Sequence, residues 1–205
     1  MAAKQAKPRR TQAERRAETQ ARVLNAALDV LIEDGHARFT TTRVAAKAGV
    51  SRGAQENYYR TRTDLLAAAT AYAMDAAAAR TAASAAQAGS SRDPLKAFLD
   101  DEKAFFLSRT YAAMVELALA GRDDPALSKI HRAAYVRVGR IRHETWTRVL
   151  CAAGYAEREV RDFVELTIYL LRGLSMTDLM LPQKAPLELL SRWRALAPAL
   201  LRGKK

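Results

Sequence analysis

Apolar residues return every three or four positions along nearly the whole chain, and the two-residue alternation of strands is almost absent. The pattern predicts an all-α protein of about nine helices. Val23, Leu24, Ala27, Leu28 and Leu31 share one face of a helix expected over 13–34, and Gly35 is placed to stop it. A short helix is expected over 41–48, with Thr40 as its N-cap and Gly49 as its exit. Ser51 then caps another that ends near Tyr58 or Tyr59. A long helix over 63–88 holds 14 alanines among residues 67–88, small enough for neighbouring helices to approach closely. Helices over 94–108, 110–121, 125–153, 157–181 and 186–201 follow. They are separated by Gly89-Ser90-Ser91, Gly121 to Pro125, Gly154, and Pro182 with Pro186; Pro198 is expected to bend or shorten the last.

The 157–181 segment carries two apolar stripes at 100° per residue. Val160, Phe163, Val164, Leu170, Leu171 and Leu174 form one; Leu166, Tyr169, Gly173, Met176 and Met180 form another, roughly 140° away. Two stripes require two apolar neighbours, which means either full burial in the monomer or one core face and one partner face. The last helix repeats the theme through Leu189, Trp193, Leu196 and Leu200. We favour an intersubunit bundle, with Leu166, Tyr169, Gly173, Met176, Met180, Leu189, Trp193 and Leu196 at a dimer interface.

The stretch TTTRVAAKAGVSRGAQENYY has the spacing of a helix-turn-helix. Val44, Ala45 and Ala48 make one apolar face, Ala45 is small where two helices cross, and Gly49 tolerates the left-handed backbone of a sharp turn. The second helix then projects outward and fits a major groove. An ordinary helical hairpin has the same spacing, so the charge distribution matters. The chain has a net charge of +12, and residues 1–66 hold 13 Lys and Arg against 7 Asp and Glu. Six of those basic residues fall within residues 1–16, read as a basic flexible arm. Such a balance favours a polyanion.

Around this motif the sequence resembles the tetracycline-repressor (TetR) family of bacterial regulators. The resemblance is densest over residues 22–66, through RVLNAALDVLIEDGHARFTTTRVAAKAGVSRGA and TRTDLL, and the order of helices extends it along the chain. It implies a homodimer that binds an operator in double-stranded DNA. A helix-turn-helix domain (17–66) would be followed by an effector-binding and dimerisation domain (67–205) that dimerises through its last two helices. It further implies that an unidentified small-molecule effector shifts the fourth helix and moves the recognition helices apart. Carried over by position, Thr40 and Thr41 meet phosphate at a helix N-terminus, and Arg43 meets phosphate or a base edge. Ser51, Arg52, Gly53 and Ala54 open the recognition helix, with Arg52 reading guanine and Ala54 touching a thymine methyl. Asn57 belongs to the same surface, Tyr58 donates to phosphate, Tyr59 is a core aromatic, and Arg62 is a phosphate clamp.

Two positions depart from the family pattern of an apolar residue followed by Tyr. Gln55 is either less buried than that pattern or turned outward to read adenine. Glu56 lies four residues from both Arg52 and Arg60, which suits helical ion pairs; alternatively it accepts from cytosine or orients Arg52.

Beyond residue 66 the sequence is less specific. Phe105, Tyr111, Met114, Glu116, Trp146, Tyr169 and Met176 are candidate effector contacts, with Phe106, His131 and Arg140 as further options. No phosphate-binding glycine loop, nucleophile elbow or metal-spaced Cys and His set occurs, so no catalytic residue, metal or cofactor is expected. The single cysteine, Cys151, cannot form an internal disulfide and reads as a packed thiol. No export signal or apolar membrane span is evident, and a cytoplasmic protein is expected. The reading is a ligand-responsive regulator, most simply a repressor. The alternatives are a nonspecific nucleoid-like DNA coater, an all-α enzyme, and a basic lipid-surface protein.

Overall fold

A computed structural model of the chain describes residues 11–181 and 188–201. Residues 1–10 of the arm expected over 1–16, and the prolines at 182 and 186, lie outside the described residues. Those residues contain nine α-helices and no strand, and the chain divides into two compact units, one up to Ala69 and one from Thr70 onward.

The first unit opens with α1, Gln12–Asp34. Its start is fixed by a capping box in which Glu14 N–H donates to Thr11 Oγ1 and Thr11 N–H donates to the Glu14 carboxylate. The helix expected over 13–34 thus starts one residue earlier, at Gln12, and takes in residues 12–16 where the arm was expected to run into it. Val23, Leu24, Ala26, Ala27, Val30 and Leu31 are its buried face, and Gly35 ends it at φ 78°. A 3-10 turn over His36–Arg38 follows, which the apolar pattern did not predict. Helix α2, Thr41–Ala48, buries Val44, Ala45 and Ala48 against this core. Thr40 caps it, and Gly49 leaves it in the left-handed conformation at φ 64°. Val50 N–H returns to the Ala45 carbonyl and locks the turn.

Helix α3 is only Arg52–Glu56, shorter than expected. Beyond Glu56 the Gln55 carbonyl accepts from both Tyr58 N–H and Tyr59 N–H, and these contacts tighten the chain into a turn. Helix α4, Arg62–Ala88, starts on reciprocal hydrogen bonds between Thr61 and Asp64. Its first residues contribute the buried Leu65 and Leu66 to this unit.

The second unit takes the rest of α4 with α5 (Pro94–Phe106), α6 (Arg109–Ala120), α7 (Pro125–Ala152), α8 (Glu157–Met180) and α9 (Glu188–Leu200). Asp93 before Pro94 and Asp124 before Pro125 each cap a helix whose first residue needs no N–H. Ser108 caps α6, which is why α5 stops at Phe106 instead of residue 108. Helix α9 continues through Pro198 to Leu200.

The core of this unit is aromatic. Phe98 packs edge-on to Trp146 at 5.6 Å and lies 6.2 Å from Phe163, which stacks on Trp193 at 5.1 Å. Full burial of each large side chain here contributes on the order of 2 kcal/mol. Alanines 85 and 88 of α4 close the same cluster, where larger residues would hold the helices apart. Cys151 sits half-buried at its margin, consistent with a packed thiol. Among the described residues no helix is long and apolar enough to cross a membrane.

Candidate functional site

The turn at Gly49 sets the geometry of the basic surface in the first unit. Because Ser51 Oγ accepts from Ala54 N–H, the first turn of α3 is held while Arg52, Gly53 and Asn57 stay exposed. A Cβ added at Gly53 would meet nothing within 4 Å, so the backbone there is open to close approach. The Arg52 side chain, 71% exposed, donates through Nε to Glu56 Oε1 at 2.7 Å. This contact is common to the ion-pair reading of Glu56 and to the reading in which it orients Arg52. On α2, Arg43 pairs with Asp34 at 2.7 Å and Lys47 with Glu33 at 2.6 Å, both partners at the end of α1. The Glu33 carboxylate holds the Lys47 ammonium above its ordinary range.

Arg15 and Arg16, where the expected arm and the expected first helix overlap, stand on the first turns of α1. They line a surface groove with Gln12, Thr19, Ala54, Asn57 and Tyr58. The Arg16 guanidinium lies over the Tyr58 ring at 5.8 Å. Helical phase alone ties these arginines to α1, but only the fold brings them beside α3.

Two expected DNA contacts are corrected. Gln55 is fully buried, and its Nε2 donates to the Tyr59 carbonyl at 2.8 Å. It occupies the core position that the family pattern gives to an apolar residue and does not reach outward to adenine. Arg62 is committed to the fold: Nε donates to the Phe39 carbonyl at 3.0 Å, and an Nη donates to the His36 carbonyl at 2.8 Å. It fastens the 3-10 turn to α4 instead of presenting a phosphate clamp. Tyr59 is buried as expected, with its hydroxyl accepting from Gln20.

In the second unit the seven candidate effector residues do not converge. Only Phe105 lines the cavity found between α4, α5, α7 and α8, a space of about 20 Å³. Trp146 belongs to the aromatic core, Met114 is buried away from the cavity lining, and Tyr111 is buried behind it, its phenol beside Tyr135 and Arg172. Tyr111 packs against Phe105 and Phe106, and burial raises its phenol above the ordinary range. Glu116 and Met176 do not line the cavity, and Tyr169 is 57% exposed on the outer face of α8. Of the further options, Phe106 lines the cavity. His131 stacks on Tyr135, with burial lowering its proton affinity.

What the sequence reading missed is a buried ionic cluster. Arg142 donates to Asp101 Oδ2 at 3.1 Å, to Glu102 Oε1 at 3.0 Å and to the Thr81 hydroxyl. Trp146 Nε1 donates to the same Asp101 oxygen at 3.0 Å. Burial pushes the Glu102 carboxyl up to about 7; Arg142 opposes the shift and Asp101 adds to it. A signal was present. Arg142 falls in the ladder Ala134, Val138, Arg142, Trp146, Leu150, and Glu102 lies between Phe98 or Leu99 and Phe105 or Phe106, both at core spacing.

Of the proposed interface residues, Leu166, Tyr169, Met180 and Leu196 are more than half exposed, and Leu179 and Leu181 add to this apolar surface. Gly173 is exposed, while Met176 and Leu189 are half-buried. Trp193 is corrected: it stacks on Phe163 and donates to Thr167 Oγ1 at 2.8 Å, so it docks α9 onto its own α8.

A glycine-turned pair of short helices, carrying an exposed arginine on its outer element and set on an independent core, defines a helix-turn-helix DNA-binding regulator. Residues 23–69 match the model of "Bacterial regulatory proteins, tetR family". The chain is 34% identical over 180 residues to the HTH-type transcriptional regulator CymR of Pseudomonas putida, covering 88% of this chain and 89% of CymR. It is 30% identical over 175 residues to an HTH-type regulator of Mycobacterium tuberculosis, covering 85% and 89%. The fold resembles a TetR transcription regulator from Haloarcula marismortui, with a TM-score of 0.64 at 20% identity over 91% of this chain and all of that one. It also resembles a TetR-family member from Streptomyces coelicolor, with a TM-score of 0.62 at 21% identity over 90% and 99%. The chain belongs to the TetR family of bacterial transcriptional regulators.

Proposed function

We propose that the protein is a homodimeric cytoplasmic repressor that occupies a near-palindromic operator and leaves it when a small molecule binds. The unit up to Ala69 holds DNA, and the unit from Thr70 onward holds the effector and the partner subunit. The observation that carries this reading is the outward face of α3, where Arg52 and Gly53 stand exposed over a capped, rigid turn. Thr40, Thr41, Arg43, Ser51, Ala54, Asn57 and Tyr58 complete the DNA surface, joined by Arg15 and Arg16 from α1. The exposed stripe of Leu166, Tyr169 and Met180 supports an isologous interface, since a two-fold operator requires a two-fold protein. Regulation of this kind proceeds by binding alone.

Selection of bound sequences from a random DNA pool in moderate salt tests the reading. Enrichment of inverted half-sites about one helical turn apart, or a multiple of it, is expected. Retention without any sequence preference would show a nonspecific DNA coater in its place.

A further inference from the structure

The small cavity of the second unit is closed by Met74 of α4, Phe105 and Phe106 of α5, Val138 of α7 and Ile168 of α8. Its polar lining is Glu102, Tyr135, Arg142 and Arg172. Two polar atoms in this lining, Arg172 Nε and Glu102 Oε2, are buried and have no hydrogen-bond partner. Arg142, by contrast, already donates to Asp101, Glu102 and Thr81. Among the described residues no ion pair engages Arg172; its guanidinium lies 5.3 Å from the Tyr135 ring and 5.5 Å from that of Tyr169. Asp101 thus offsets Arg142, and Arg172 leaves one positive charge over whenever Glu102 is neutral. Arg172 Nε–H is a buried donor without an acceptor, and Glu102 Oε2 becomes a second once that carboxyl holds its proton; such groups are costly, and two beside one space call for an acceptor that arrives from outside.

We propose that this cavity is a carboxylate pocket, taking a small monocarboxylic acid with an apolar body. The ligand carboxylate accepts from Arg172 Nε–H and from the hydroxyl of protonated Glu102, and the body lies among Met74, Phe105, Phe106, Val138 and Ile168. The inference rests on the second unit being the effector-binding one. At about 20 Å³ the space holds one water, so a ligand must open it. That difference between closed and open forms is what allows a ligand to shift a conformational equilibrium. Glu102 is faced by Asp101 on its own α5, by Arg142 and Tyr135 on α7 and by Arg172 on α8, while α4 presents the neutral Met74 and Thr81. Because Glu102 titrates near 7, ligand binding takes up a proton and weakens as pH rises above that value.

Calorimetry on the intact, DNA-free protein tests the proposal with acetate, butyrate, benzoate and 1-naphthoate, each beside its primary amide. At least one acid is expected to bind about tenfold or more tightly than its amide. Its affinity should fall by up to tenfold per pH unit above 7. Arg172→Gln should erase the preference for acid over amide, and Glu102→Gln should keep the preference while flattening the pH profile. Binding by none of the acids at millimolar concentration, equal binding of acid and amide, or an Arg172→Gln variant that still prefers the acid would overturn it. Since no DNA is present, failure here is separate from failure of operator selection, which needs no ligand.

Discussion

Arg52 Nε and Glu56 Oε1 meet at 2.7 Å one turn apart on the exposed face of α3, so the base-reading candidate is held in place by a carboxylate. A guanidinium reads guanine through two parallel hydrogen bonds, and its orientation before contact therefore matters. Glu56→Gln is expected to change binding chiefly at the operator base pair under Arg52. The change should be on the order of tenfold in discrimination, within the range of one bidentate contact. Binding measured across a set of singly substituted operators checks this. A uniform strengthening at every sequence would leave Glu56 with no role beyond charge repulsion.

Arg62 holds the 3-10 turn to the start of α4 through the carbonyls of His36 and Phe39. Arg62→Ala is expected to cost about 2 kcal/mol of stability, since two carbonyls lose a charged donor. Because Arg62 is spent inside the fold, the slope of log affinity against log salt should stay as in the parent protein. A slope reduced by about one unit would return Arg62 to the DNA surface. Thermal melts and salt titrations on the same variant provide the two readouts.

The Glu102 carboxyl sits near 7 in the folded state against an ordinary 4.5. An acid whose folded value is raised binds its proton more tightly when folded. Its stabilising contribution is therefore full below about 4.5 and is lost as pH rises through about 7. The shift corresponds to about 3 kcal/mol. Denaturant melts of Glu102→Gln should lack this fall between pH 5 and pH 8, and the difference between parent and variant isolates the carboxyl from every other titrating group.

Leu166 and Met180 are 51% and 73% exposed on the same outer face of α8. Each apolar side chain buried in an interface contributes about 1.5 kcal/mol or more. Leu166→Glu with Met180→Glu should weaken a dimer by about a hundredfold or more. Sedimentation across protein concentration would reveal it, with helix content unchanged. A variant that stays dimeric at the parent's concentration range would place the interface elsewhere.

Most of the architecture was legible because helix boundaries here are written in local chemistry. Thr40, Ser51, Asp93 with Pro94, and Asp124 with Pro125 stop or start elements through their own atoms, and Gly49 does so through its backbone. Tertiary partners were harder to read. Gln55 looked like a polar surface residue, yet its amide satisfies the Tyr59 carbonyl in the core; sequence shows a side chain's polarity but not where its hydrogen bond goes. Arg62 and Trp193 were misassigned for the same reason, since each completes a contact across more than twenty residues of chain. The ionic cluster was hidden differently. Arg142 and Glu102 break two apolar ladders, and a charge in a core stripe can mark an exposed edge or a buried pair. Only the opposing helix distinguishes them. Most of the effector candidates lie away from the cavity that Phe105 lines, because aromatic residues at core spacing fill cores far more often than they line cavities.

The chain contains two tryptophans, and their settings differ sharply. Trp146 is wholly enclosed, with its indole N–H on the Asp101 oxygen that also takes Arg142, whereas Trp193 is half-buried against Phe163. Changing Trp193 to Phe preserves an aromatic partner for Phe163 and leaves a single indole, wired to the ionic cluster. Any event that redistributes charge around Asp101 then alters the emission of one indole, so the protein carries its own optical probe of the second unit's interior, readable without a label.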